Sequence, residues 1–170
     1  MIPPSGYAAS AVLSLQMEPS PRIDSSPSLR LLRDAVLLSR LVHRLIDPPL
    51  RYELGLSSKE VYVLRSLTLG VDRPGAIARR LNLTPPSVSR AVDLLASRGF
   101  VERHGSPDDG RATALAITEA GTQALETALV VVQDAYDQTY GQVDPALVDR
   151  GIAVIEDLLE AMSACDPAPS

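Results

Sequence analysis

The chain has 170 residues, 45% of them hydrophobic and only 4% aromatic, and a formal net charge of −5. That length fits one domain with tails, and a core built from Leu, Val, Ala and Ile suits packed helices better than a large sheet. No apolar run reaches the roughly 18 residues a membrane span needs, and the single cysteine, Cys165, excludes an internal disulfide. His43 and His104 have no cysteine nearby, so no metal-ligand spacing exists and no cofactor is expected. The composition reads as a soluble, cytoplasmic, mostly helical protein.

In chain order, residues 1–27 are rich in Pro and Ser and predict a flexible arm, with one loose helical stretch around Ala8 to Gln16. Tyr7 to Met17 is apolar but lacks a preceding basic stretch, so it does not read as a secretion signal; Met17 is an alternative start. Leu32, Ala35, Leu38, Leu41, Val42 and Leu45 then recur at helical spacing, and this helix is predicted to stop at Asp47-Pro48-Pro49. Ser57 with Glu60 three residues later is a capping-box pattern, opening a helix that ends at Gly70. A short helix follows from Pro74 to Leu81, and Asn82-Leu83 makes a tight turn. Thr84 is placed as an N-cap, Pro85 suits the first helical position, and Val88, Ala91, Val92 and Leu95 form one apolar stripe up to Gly99. Two short strands, Phe100 to Arg103 and Ala112 to Ile117, flank a polar turn that contains Asp109-Gly110-Arg111. Thr118 caps a long helix to about Tyr140. Asp144-Pro145 opens the last helix, whose buried face is predicted to be Leu147, Val148, Ile152, Ile155, Leu158, Leu159 and Met162.

The net charge hides an asymmetry. From Pro27 to Ile117 there are fourteen bases and nine acids, whereas from Thr118 to Ser170 there are ten acids and one base. Association with nucleic acid follows the local patch rather than the total. The acidic helices read as solvated outer faces that keep an apolar assembly soluble, with a protein-docking surface as the alternative.

Two short helices, a tight turn, a third helix and a hairpin make a winged helix-turn-helix, whose third helix projects into a major groove. With Val88, Ala91, Val92 and Leu95 inward, Pro86, Ser87, Ser89, Arg90 and Asp93 point outward. Ser87 and Ser89 can bond bases or phosphates, and Arg90 can read guanine O6 and N7 bidentately. Thr84 and the amides at this helix's start favour a phosphate. Asp109 can hold Arg111 so that it reaches a narrow minor groove preorganised. The plainer readings are a solvated surface helix and an ordinary Asp-Gly hairpin turn.

From about Leu29 to Met162 the sequence resembles the MarR family of bacterial transcriptional regulators. The resemblance rests on Leu81-Asn82-Leu83-Thr84 running into Val88-Ser89-Arg90, and on Leu94-Leu95-Ala96-Ser97-Arg98-Gly99-Phe100-Val101-Glu102-Arg103. Pro107-Asp108-Asp109-Gly110-Arg111 and Leu115-Ala116-Ile117-Thr118-Glu119-Ala120-Gly121 complete it. It implies a mainly α fold with a small β wing: a winged helix-turn-helix over 57–117, dimerisation helices over 28–47 and 118–163, and a tail over 164–170. It also implies a homodimeric repressor on a pseudo-palindromic double-stranded operator, with Ser87, Ser89 and Arg90 on the base-reading helix and Arg111 at the wing tip. Many members release DNA when a small, often aromatic, anionic ligand enters the cleft beside the dimerisation helices. There His43 and Arg44 are the candidate ligand residues, a solvated His43 beside the dimer seam being the plainer reading. The reactive cysteine of redox-sensing members, the His clusters of metal-sensing members and the first-helix tryptophan of some ligand-binding members are absent, and Cys165 reads as an incidental tail thiol. The rival function is a winged-helix module that binds a protein partner instead of DNA.

Overall fold

The computed structural model describes residues 26–105, 113–141 and 143–164. The elements are α1 (Pro27–Leu54), α2 (Ser58–Thr68), α3 (Pro74–Arg80), α4 (Pro85–Ser97), β1 (Val101–Gly105), β2 (Thr113–Ile117), α5 (Glu119–Tyr140) and α6 (Pro145–Ala164). The expected arm, the turn with Asp109, Gly110 and Arg111, and Cys165 lie outside the described residues. The mainly α architecture with one antiparallel hairpin is the expected one.

The chain divides into two units, Met1–Tyr136 and Asp137–Ser170. In the first, α2, α3 and α4 enclose a core of Leu64, Ile77, Val88 and Leu95, all fully buried, closed on one side by Val101 and Leu115 of the hairpin. α5 buries Gly121, Ala124, Leu125 and Ala128, one stripe at helical spacing. The hairpin pairs Val101 with Ile117 and Gly105 with Thr113. Its second strand, β2, is also held by the Leu115 N–H, which donates to the Asp72 carbonyl at 2.9 Å just before α3.

Contrary to the expected stop at Asp47, α1 runs through Pro48 and Pro49 to Leu54. Two prolines in a helix remove two N–H donors and crowd the carbonyls one turn back. The helix continues because Ile46 and Leu50 are buried in the core on either side of them, each worth about 1.5–3 kcal/mol. Its real end is Gly55, at φ 62°, whose N–H returns to the Arg51 carbonyl at 3.0 Å. The Asp47 side chain, instead of ending α1, accepts the Ser58 N–H at 2.9 Å and so caps the first turn of α2.

The second turn of that entry is the Ser57–Glu60 pair. The Glu60 carboxylate accepts the Ser57 N–H at 2.8 Å and the Ser57 hydroxyl. Burial alone would push the Glu60 carboxyl up, but the two Ser57 hydrogen bonds and the nearby Lys59 charge outweigh it and hold the group below its usual range.

The second unit contains the end of α5 and all of α6, which opens as expected, with Asp144 Oδ1 accepting the Ala146 N–H at 2.9 Å. The seven-residue face expected to be buried is not buried in the protomer: Val148 and Leu158 are half-buried, and the other five are 47–64% exposed. The 3.6-residue period identifies the apolar face correctly, but periodicity does not say whether the same chain covers it.

Candidate nucleic-acid interface

α4 is delivered by a turn that only a permissive residue can make. Asn82 takes φ 49°, a left-handed conformation that Asn tolerates better than most residues, and the Leu83 N–H returns to the Ala78 carbonyl at 2.9 Å. Thr84 then occupies the N-cap with extended backbone, and Pro85 the first helical position. The helix ends at Gly99, φ 72°, with the Gly99 N–H on the Ala96 carbonyl at 3.0 Å and the Phe100 N–H on the Leu95 carbonyl at 2.9 Å. That double closure turns the chain directly into β1.

Val88, Ala91, Val92 and Leu95 are buried as the stripe requires. Pro86, Ser89, Arg90 and Asp93 are exposed and Ser87 is half-buried, so the helix presents a polar face opposite its core face. Arg90 has no ion-pair partner among the described residues. Two details at the helix start differ from expectation. Thr84 makes no side-chain capping hydrogen bond. The amides expected to hold a phosphate are also missing: Pro85 and Pro86 have no N–H, and the Ser87 N–H is used by the Thr84 carbonyl at 2.9 Å. The exposed Thr84 hydroxyl is the polar group left at that end.

Asp93 does not project freely. Its carboxylate pairs with Arg103 of β1, joining the exposed side of α4 to the base of the wing. This link spans ten residues across a turn, and no local pattern announces it. On the same strand His104 lies 3.6 Å from Glu102, a pair that forms when the ring is protonated. A cavity of about 220 Å3 opens between α3, α4 and the hairpin, lined by Pro74, Ser89, Val92, Arg103 and Leu115. Its one full charge is Arg103.

His43 and Arg44 are both exposed on α1 and do not line that cavity. The His43 ring bonds the Ser39 carbonyl of its own helix, Nδ1 to O at 2.7 Å. Asp109 and Arg111 lie outside the described residues. Among the described residues no group of three or more His, Cys, Asp or Glu could hold a metal ion, and no helix is long and apolar enough to cross a membrane.

Residues 54–112 match the model of the MarR family. An HTH-type transcriptional regulator of Mycobacterium tuberculosis is 39% identical over 59 residues, which is 35% of this chain and 41% of that protein. One from Bacillus subtilis is 41% identical over 54 residues, covering 32% of this chain and 35% of its own length. The matched segments thus span about two-fifths of these curated relatives. Among solved structures, the transcriptional regulator BldR from Sulfolobus solfataricus superposes with a TM-score of 0.72 at 22% identity, over 79% of this chain and 95% of that one. A mutant MarR from E. coli complexed with operator DNA gives 0.64 at 23% identity, over 85% and 99%. CouR from Rhodococcus jostii, bound to p-coumaroyl-CoA, gives 0.64 at 20% identity, over 88% and 100%. These likenesses are of fold, and the family match covers the helix-turn-helix and β1 but ends before β2. Residues 54–112 thus carry the pattern of the MarR family, on a chain whose fold is the winged helix of these solved structures.

Proposed function

We propose that the chain is a homodimeric transcriptional regulator, a repressor, that binds a pseudo-palindromic double-stranded operator with α4 of each protomer in a major groove. The observation that carries the reading is the polar face of α4, on which exposed Ser89 and Arg90, the latter without an ion-pair partner among the described residues, stand over a fully packed support. Arg90 reads guanine, while Thr84, Pro86, Ser87 and Ser89 lie against bases or the adjoining backbone. Asp109 and Arg111 form the wing tip that enters the minor groove. The excess of bases over acids between Pro27 and Ile117 supplies the field that steers DNA to this side.

The dimer is supported by apolar faces that a soluble protomer would not leave open. On α6, Ile152, Ile155, Leu159 and Met162 follow helical spacing and are 47–64% exposed. On α1, Leu31, Leu38 and Val42 also follow helical spacing and are 37–52% exposed. In each case a second copy is the cover. The chain carries no catalytic role in this reading; its named relatives are regulators.

The test is a gel shift with the DNA upstream of the protein's own gene, titrated with salt. A salt-sensitive, sequence-preferring complex at or below micromolar protein is expected, and Arg90→Ala should relax the sequence preference. Absence of such a complex would favour the rival, a winged-helix module that binds a protein partner.

A second reading adds release of DNA by a small anionic aromatic effector. The cavity beside α4 supports it, because an anion at Arg103 would compete with Asp93 for the guanidinium that ties the wing to the helix. His43 and Arg44 are the alternative ligand residues, on α1. Loss of the DNA complex on adding an aromatic carboxylate, abolished in Arg103→Ala or in His43→Ala, separates the two places.

A further inference from the structure

Arg98 closes α4, yet its side chain serves another helix. Its Nη1 donates to the carbonyl of Leu54 at 2.5 Å, across 44 residues of sequence. Leu54 is the last residue of α1. The guanidinium covers the turn that follows, so that a Cβ added at Gly55 would lie 2.6 Å from Nη2 and 2.8 Å from Nη1. A helix C-terminus carries carbonyls without helical donors and the negative end of the dipole, which makes a cation with several N–H groups its natural complement. Directly after the turn, Leu56 is fully buried and anchors it in the core. The ends of α1 and α4 are therefore held on one cation.

We propose that Arg98 is a positioning residue for DNA recognition, fixing how α4 is held against the end of α1 without itself touching DNA. The inference rests on the dimeric DNA-binding reading, in which α1 belongs to the dimer and α4 to the operator. A hydrogen bond between the two helix ends then sets how far apart the paired recognition helices stand, and so the half-site spacing that the dimer accepts.

The experiment measures binding of the full-length chain, by fluorescence anisotropy, to its own upstream operator and to versions with the half-site spacing changed by one base pair. Wild type is expected to discriminate among them. Arg98→Ala is expected to bind the natural spacing about three- to thirtyfold more weakly, to discriminate less between spacings, and to keep the wild-type salt slope. Gly55→Ala displaces the guanidinium while keeping its charge, and should give the same flattening, so the result does not depend on one variant folding. Unchanged spacing preference in both variants overturns the proposal, whether affinity is unchanged or falls equally at every spacing. A salt slope lower by about one in Arg98→Ala overturns it too, because that is the signature of a phosphate contact. If wild type forms no sequence-preferring complex, the functional reading itself falls and takes this inference with it.

Discussion

Replacing Pro48 by Ala should stabilise the protein. Pro48 and Pro49 lie inside α1, where they leave the Arg44 and Leu45 carbonyls without their i+4 donors. Proline in a helix interior costs about 3 kcal/mol relative to Ala. Pro48 is exposed, so trimming its ring forfeits little burial. Part of the penalty is already relieved by local adjustment of the helix, and the unfolded chain regains freedom worth about 0.4–1 kcal/mol. The expected net gain is about 1–3 kcal/mol. With a urea slope of about 2 kcal/mol/M, the midpoint should rise by about 0.5–1.5 M at fixed protein concentration, the slope staying constant. Pro49→Ala should gain less, because Pro49 is half-buried. A midpoint for Pro48→Ala equal to or below wild type would refute the reasoning, since it would mean that no helical hydrogen bond is waiting at that position.

Glu60→Gln should cost about 1–2 kcal/mol near neutral pH, as the Ser57 N–H and hydroxyl lose an ionised acceptor. Because the folded state holds Glu60 below its ordinary value of 4.5, its contribution is complete above that value and fades as pH falls through the lower, folded one. Urea midpoints of wild type and variant should therefore converge as the solution is acidified, and a gap that stays constant on acidification would contradict this. Gly121→Ala should destabilise by about 1–3 kcal/mol despite alanine's better helix propensity, because the new Cβ would lie 2.1 Å from the Phe100 carbonyl oxygen and 2.9 Å from Ile117 Cγ1. An unchanged melting temperature would show that α5 does not begin pressed against Phe100 and Ile117 at the base of the hairpin. Asp93→Ala should change stability by less than about 1 kcal/mol, since both partners of its pair with Arg103 are substantially exposed. It should weaken DNA binding by more than that if the pair orients the wing, which parallel urea and anisotropy titrations would compare.

The parts legible in the sequence are those whose cause is local. The stripe Val88, Ala91, Val92 and Leu95 announces both the helix and its buried side, and all four are buried. Gly99 announces a left-handed helix end. Thr118 and Asp144 announce caps that are made, with Thr118 Oγ1 accepting the Gly121 N–H at 3.0 Å and Asp144 the Ala146 N–H. What was illegible depends on distant partners. Arg98 and Leu54 are 44 residues apart, and nothing near Arg98 in sequence distinguishes it from a solvated cation. The Asp47–Ser58 hydrogen bond is of the same kind. Pro48-Pro49 signals a helix stop by a local rule, which burial of Leu50 overrides. The helix-start amides are a different case, for Pro85-Pro86 already excluded two of them in the sequence.

The distribution of burial bears on how the protein would work. Fully buried side chains concentrate between Leu50 and Ala128, in the winged helix and the start of α5. From Val143 to Met162 no residue is buried within the chain. An isolated helix of about this length is marginal in water, since helices owe most of their stability to a packed face. α6 therefore needs a surface to close over Ile152, Ile155, Leu159 and Met162, whereas the winged helix already has its core. Covering that face would stabilise α6, whereas the winged helix is a preformed unit without it. Within the first unit, the hydrogen bond from Arg98 to the Leu54 carbonyl ties the end of α4 to the end of α1.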